Sequence, residues 1–187
     1  MKIDIKKIII IPLLVITGLT YASMKNNVDE NMIADKSING EKPLMSNVQQ
    51  TPDLKFKDEN GKTVTLSSLK GKVVFINLWA IWCPPCIQEM PSINKLRKTF
   101  KDNDNLVFLM VDVDGNIEKS NKWMKSKKFD LPVYIPDGEI PRELFKGSIP
   151  TTIIVDKQNN IVAKHVGGAD YSSQEVIDMM TKLLNEK

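Results

Sequence analysis

The sequence predicts an α/β domain: a central mixed β-sheet flanked by helices, with an N-terminal β-hairpin extension. Three observations carry that prediction. Two nearly continuous apolar runs, "VVFINLW" and "NLVFLMVDV", read as strands buried on both faces. Segments with apolar residues every three to four positions follow each of them. Near the C-terminus, two extended stretches flank an Asn-Asn turn and a helix closes the chain, which adds antiparallel pairing to a sheet of alternating strands and helices.

Taken in order, "DENG" at 58–61 is a turn between Leu54/Phe56 and the alternating Val64/Leu66, a hairpin signature. "SSL" before "KGK" predicts a short helical turn that stops at Gly71. The run at 73–79 is the first buried strand, and "CPPC" follows it directly. Ile87, Met90, Ile93, Leu96 and Phe100 then lie on one helical face, with Pro91 inside it predicting a kink or offset. Residues 105–113 form the second buried strand and 117–128 a helix with Trp123 on its apolar side. Residues 131–135 are short and extended, 142–145 a helical turn, and 151–156 and 161–166 a hairpin. A closing helix over 172–184 presents Val176, Ile177, Met180, Leu183 and Leu184 on one face.

Ahead of this domain the composition changes. Lys2, Lys6 and Lys7 precede the uncharged stretch "IIIIPLLVITGL", the pattern of an export signal and short for an ordinary membrane span. Residues 1–24 are therefore expected to be a signal peptide or an uncleaved N-terminal anchor, with no cysteine after the apolar run for lipid attachment. Residues 25–50 are polar and aperiodic, a linker, and 51–187 form the folded domain. The net charge is +3, and with the N-terminal lysines set aside the rest is nearly neutral. Such a balance lacks the clustered basic face that nucleic-acid binding requires.

The chain has two cysteines, Cys83 and Cys86, separated only by Pro84 and Pro85. Three readings are open. At the start of a helix, the first thiol meets unpaired backbone N–H groups and the positive end of the dipole, which favours the nucleophilic thiolate. The second thiol, one turn further on, can resolve a mixed disulfide. The prolines suit the first helical turn, where a missing N–H costs nothing. A metal centre needs about four ligands, and the single histidine, His165, lies far along the chain in a predicted surface strand. A purely structural disulfide closing so small a loop would remove little chain entropy. No metal and no cofactor are expected.

The strand–WCxxC–helix order, with "EMP" after the motif and "GSIPTTIIVD" far downstream, resembles the thioredoxin superfamily. It is most similar to exported thiol–disulfide oxidoreductases of the TlpA/ResA/CcmG type, over roughly residue 51 to the C-terminus. The resemblance implies a thioredoxin-like fold in which Cys83 is the exposed nucleophile and Cys86 the buried resolving thiol, cycling between dithiol and disulfide. It implies that Trp82, Pro84 and Pro85 shape the substrate-facing surface. It also implies a cis peptide at Ile149–Pro150, in a loop against the disulfide where an extended substrate can pair. Glu89, one turn after Cys86, is a candidate proton acceptor, and a charge there would raise the thiol pKa values. An acid favoured by the helix dipole alone is the alternative. Asn77 stands where cytosolic thioredoxins carry a buried acid.

The expected activity is reduction of substrate disulfides outside the cytoplasm, on protein thiol/disulfide substrates, apocytochrome c among them. A membrane electron donor of the CcdA/DsbD kind would recharge the pair. Competing readings are an oxidase or isomerase, a peroxidase, for which the Pro-x-x-x-Thr-x-x-Cys context is absent, and a non-redox peptide-binding module. Asp112 and Asp114 read as solvated loop acids, and Lys119, Lys122, Lys125, Lys127 and Lys128 as a solvated helix face.

Overall fold

The computed structural model describes residues 52–186. The expected signal or anchor over 1–24 and the linker over 25–50 lie outside the described residues. The chain divides into two units, and the second, Ser46–Lys187, holds everything described below. Among the described residues, no helix is long and apolar enough to cross a membrane.

Seven strands form one mixed sheet: β1 (Lys55–Lys57), β2 (Thr63–Thr65), β3 (Val73–Trp79), β4 (Leu106–Asp112), β5 (Val133–Pro136), β6 (Thr151–Val155) and β7 (Ile161–Val166). Their spatial order is β2-β1-β5-β4-β3-β6-β7. β3, β4 and β5 are parallel, whereas β6 runs antiparallel to β3, β7 to β6 and β1 to β5. The N-terminal hairpin β1–β2 thus extends the β5 edge. Its connection is closed by Asp58 N–H on the Lys62 carbonyl and by Gly61 at φ 77°, a left-handed turn position that suits glycine.

Three helices follow the predicted periods: α1 (Pro84–Thr99), α2 (Ile117–Ser126) and α3 (Gln174–Asn185). Side-chain alternation in β3 sorts the core. Val73, Phe75 and Trp79 face a cluster built with Met90, Ile93 and Leu96 of α1, Met124 of α2 and Met180 and Leu183 of α3. Val74, Ile76 and Leu78 face a second cluster with Leu54, Phe56, Leu66 and Leu144. All three helices cover the first face. The second is covered by the hairpin region and by the β5–β6 connection, whose predicted helical turn is Leu144 and Phe145 N–H on the Pro141 carbonyl. Helix α1 continues as one segment through Pro91. Asn77, the one polar residue of β3, falls by period two on the helix-covered face.

Candidate active site

The cysteine pair sits where β3 hands over to α1. The Ala80 carbonyl accepts the Cys83 N–H, and Cys83 is the N-cap of α1. Pro84 and Pro85 occupy the first two helical positions, where their lack of an N–H is harmless. The Cys86 N–H then points back at Cys83 Sγ, 3.3 Å away. The two sulfurs are bonded to each other as a disulfide, with Cα atoms 5.3 Å apart. Cys83 therefore has the donor and the helix terminus that stabilise a thiolate, and Cys86 does not.

Exposure differs from the sequence expectation. Cys83 is not the exposed member of the pair: it is 3% accessible and Cys86 0%. In the disulfide both sulfurs turn into the cluster that includes Trp79 and Ala80. The residues exposed around them are Trp82, at 66%, Pro84 and Pro85. The Ile149–Pro150 bond is cis. Because β6 is antiparallel to β3 and Thr151 pairs with Leu78, this bond lies at the C-terminal end of β3, the end that carries the motif. Pro150 is buried, and half-buried Ile149 packs against the cluster containing Cys83 and Cys86.

Glu89 is buried on the inner face of α1 with Cys86 and Met90. Its Oε1 accepts a 2.7 Å hydrogen bond from Asn77 Nδ2, and its Oε2 accepts the Ala169 N–H at 3.2 Å. Burial pushes its pKa up to about 7, against the opposing pull of these two donors. A dipole-favoured surface acid would be solvated instead, so the environment of Glu89 is that of a titrating group near neutrality. Asn77 Nδ2 also donates to Thr152 Oγ1 at 3.0 Å, and Thr152 accepts the Tyr171 hydroxyl at 2.6 Å.

A second set of contacts orients Trp82. Its indole N–H donates to Asp114 Oδ2 at 2.7 Å. Asp114 lies in a turn organised by buried Asp112, which accepts the Asp114 and Asn116 N–H groups and the Ser120 hydroxyl. Loop solvation, the sequence reading of this pair, is wrong for Asp112: its lone pairs are used inside the protein.

The Redoxin family profile matches residues 47–180. The chain belongs to the Redoxin family. Within it the chain is 32% identical over 128 residues to the thiol–disulfide oxidoreductase ResA of Bacillus cereus, covering 68% of this chain and 73% of that one. It is 38% identical over 123 residues to the thioredoxin-like protein YneN of Bacillus subtilis, covering 64% and 71%. A Bacteroides vulgatus structure assigned as a thiol–disulfide oxidoreductase superposes with a TM-score of 0.62 at 31% identity, over 74% of this chain and all but 1% of that one (99%). A pneumococcal exposed lipoprotein thioredoxin gives 0.56 at 27%, over 70% and 99%. A secreted thiol-disulfide isomerase of Corynebacterium glutamicum gives 0.58 at 26%, over 72% and 85%. This Redoxin-family chain is a thioredoxin-fold thiol–disulfide oxidoreductase of the ResA type, and Cys83–Cys86 is its CxxC pair.

In this Redoxin-family site, Cys83, Cys86, Trp82, Pro84 and Pro85 come from one stretch; Glu89 follows on the same helix and Ile149–Pro150 arrives through β6. His165 and the α2 lysines are exposed and take no part in the contacts described. Thr152 and Tyr171 carry no role in the linear chain, and Asp114 is expected there only as a solvated loop acid. Thr152 was legible in principle, as the polar residue alternating with Ile154 in a buried strand. Tyr171 lies in a connection, where no periodicity signals an inward role, and exposed Asp114 holds Trp82 from a turn.

Proposed function

We propose that this protein is an extracytoplasmic disulfide reductase. The observation that carries the proposal is the disulfide at the N-terminus of α1 with a buried, near-neutral-titrating carboxyl one turn beyond Cys86. In the reduced protein, Cys83 thiolate attacks one sulfur of a substrate disulfide and displaces the other as a thiolate, giving a mixed disulfide. Cys86 gives its proton to Glu89 and attacks Cys83 Sγ. The substrate's second sulfur leaves as a thiolate and is protonated, so the substrate gains two electrons and the Cys83–Cys86 pair loses them.

Direction follows from electrostatics. An acid beside the thiols disfavours their ionised form, so the reduced state gains little thiolate stabilisation and the pair is a better electron donor. Exposed Trp82, Pro84 and Pro85 and half-buried Ile149 supply the apolar surface that a substrate segment would meet at this end of the sheet. The oxidised pair is recharged by a dithiol donor, a membrane protein of the CcdA/DsbD kind. A disulfide between apocytochrome c cysteines fits as a substrate, its two thiols being the product. The lysine-flanked apolar segment at 8–19 and the exposed or secreted character of two structural relatives support placement outside the cytoplasm.

A Cys86→Ser variant tests the reading. It is expected to accumulate mixed disulfides on Cys83 with exported cysteine-containing proteins. Equal trapping by Cys83→Ser would overturn the roles assigned to the two thiols, and a reduction potential above about −150 mV would make the protein an oxidant instead.

A further inference from the structure

The hydrogen bonds to Glu89 continue past its immediate neighbours. Asn77 and Thr152 are directly opposite each other across β3 and β6. Both amide hydrogens of Asn77 are used, one on Glu89 Oε1 and one on Thr152 Oγ1. Thr152 Oγ1 is in turn fixed by the Tyr171 hydroxyl. All four side chains are buried. Asn77 Oδ1 has no partner, so the amide is oriented only by what its nitrogen meets. Without an acceptor at Thr152, the amide is free to turn its carbonyl toward Glu89, which suits a protonated acid and repels a carboxylate.

We propose that Tyr171 and Thr152 are positioning residues for the thiol chemistry: they hold the Asn77 amide with its N–H toward the Glu89 carboxyl that takes the Cys86 proton. This rests on the proton-acceptor role of Glu89 proposed above. Glu89 meets Asn77 of β3 and the Ala169 N–H of the segment between β7 and α3 directly; Cys86 is buried on the same helix, Thr152 of β6 lies behind Asn77, and Tyr171 feels the Glu89 charge. Asp170, on that same segment, is exposed and attracted by Lys95 of α1. Burial pushes the Tyr171 phenol up to about 12, so it remains a protonated donor across the working range. Its ring also packs edge-on to Phe75, centroids 5.1 Å apart, a contact that Tyr171→Phe keeps. That variant therefore removes the hydroxyl alone.

The test is a carbon-13 carboxyl titration of the oxidised full-length protein, with the Glu89 signal assigned by Glu89→Gln. Thr152→Val is expected to raise the Glu89 midpoint by about one pH unit and Tyr171→Phe by about half a unit, with Thr152→Ser close to wild type. Midpoints in Tyr171→Phe and Thr152→Val equal to wild type would overturn the proposal; should Thr152→Val not fold, Tyr171→Phe against Thr152→Ser decides it. A second readout, the pH profile of thiol alkylation in reduced protein, is expected to differ between wild type and Tyr171→Phe and to coincide between Glu89→Gln and Tyr171→Phe/Glu89→Gln. A Glu89 midpoint that moves while Glu89→Gln leaves the thiol profile unchanged supports the positioning of the carboxyl and defeats only its role as proton acceptor.

Discussion

At Glu89, burial wins over the two hydrogen bonds that would keep the carboxylate ionised, and its pKa rises from 4.5 to about 7. The folded state therefore binds a proton that the unfolded state has already lost between these values. Stability from this group is fully present below pH 4.5 and is lost as pH rises through about 7. Glu89→Gln, which is neutral at every pH, is expected to gain on the wild type by on the order of 2–3 kcal/mol at pH 8 relative to pH 4. Urea unfolding of both oxidised proteins at the two pH values checks this. In catalysis the same variant is expected to lower the thiol pKa values, because it removes the negative charge that opposes ionisation. Alkylation of the reduced protein across pH 5–10 reads that shift.

At the scale of elements, the site depends on two connections that carry no regular structure. The β4–α2 turn is built on Asp112, whose carboxylate satisfies two backbone N–H groups and the Ser120 hydroxyl in a buried position. Asp112→Ala leaves those donors unpaired and is expected to cost about 2–4 kcal/mol, measurable by chemical denaturation. Asp114, held in that turn, fixes the indole of Trp82. Asp114→Ala is expected to leave Cys83 reactivity toward a small alkylating agent unchanged while slowing mixed-disulfide formation with a protein substrate about three- to tenfold. Equal slowing of both reactions would place Asp114 in the thiol chemistry rather than in docking. Helix α1 contributes differently: its N-terminus supplies the Cys86 N–H to Cys83 Sγ, and its inner face supplies Glu89.

For the whole molecule, sheet topology joins these parts. β3 is central, with β4 parallel on one side and β6 antiparallel on the other. The C-terminal end of β3 consequently meets the start of β6, which brings Ile149–Pro150 to the CxxC end of the sheet. The β7–α3 segment folds back over α1, giving Glu89 the Ala169 N–H and Thr152 the Tyr171 hydroxyl. The described residues contain all of these contacts. A chain beginning at Ser46, where the second unit starts, is expected to reduce a model disulfide in solution at the wild-type rate. In cells it is expected to stay in the cytoplasm while the full chain, on the function proposed above, is exported, seen by fractionation; exported truncated protein would refute residues 1–24 as the address.

Much of this was legible in the linear chain because it is local. Nearly continuous apolar runs marked β3 and β4, the Asn-Asn turn marked the β6–β7 hairpin, and a period near 3.6 marked α1 and α3. The two-residue spacing put both cysteines on the first turn of α1, and Glu89 one turn beyond them. Composition alone argued against a nucleic-acid surface. What the tertiary structure decided was long-range. The sequence shows Asn77 as an oddity in an apolar strand, but only antiparallel register sets it opposite Thr152, 75 residues away. Only the return of the chain after β7 reaches Glu89 from Ala169, 80 residues on. Whether Glu89 is a solvated helix-terminal acid or a buried one is likewise a question of what covers it, since desolvation depends on neighbours rather than on spacing. Exposure at Cys83 follows the same rule: helix position gives the thiol its donors, and packing decides that Trp82, not the sulfur, meets the solvent.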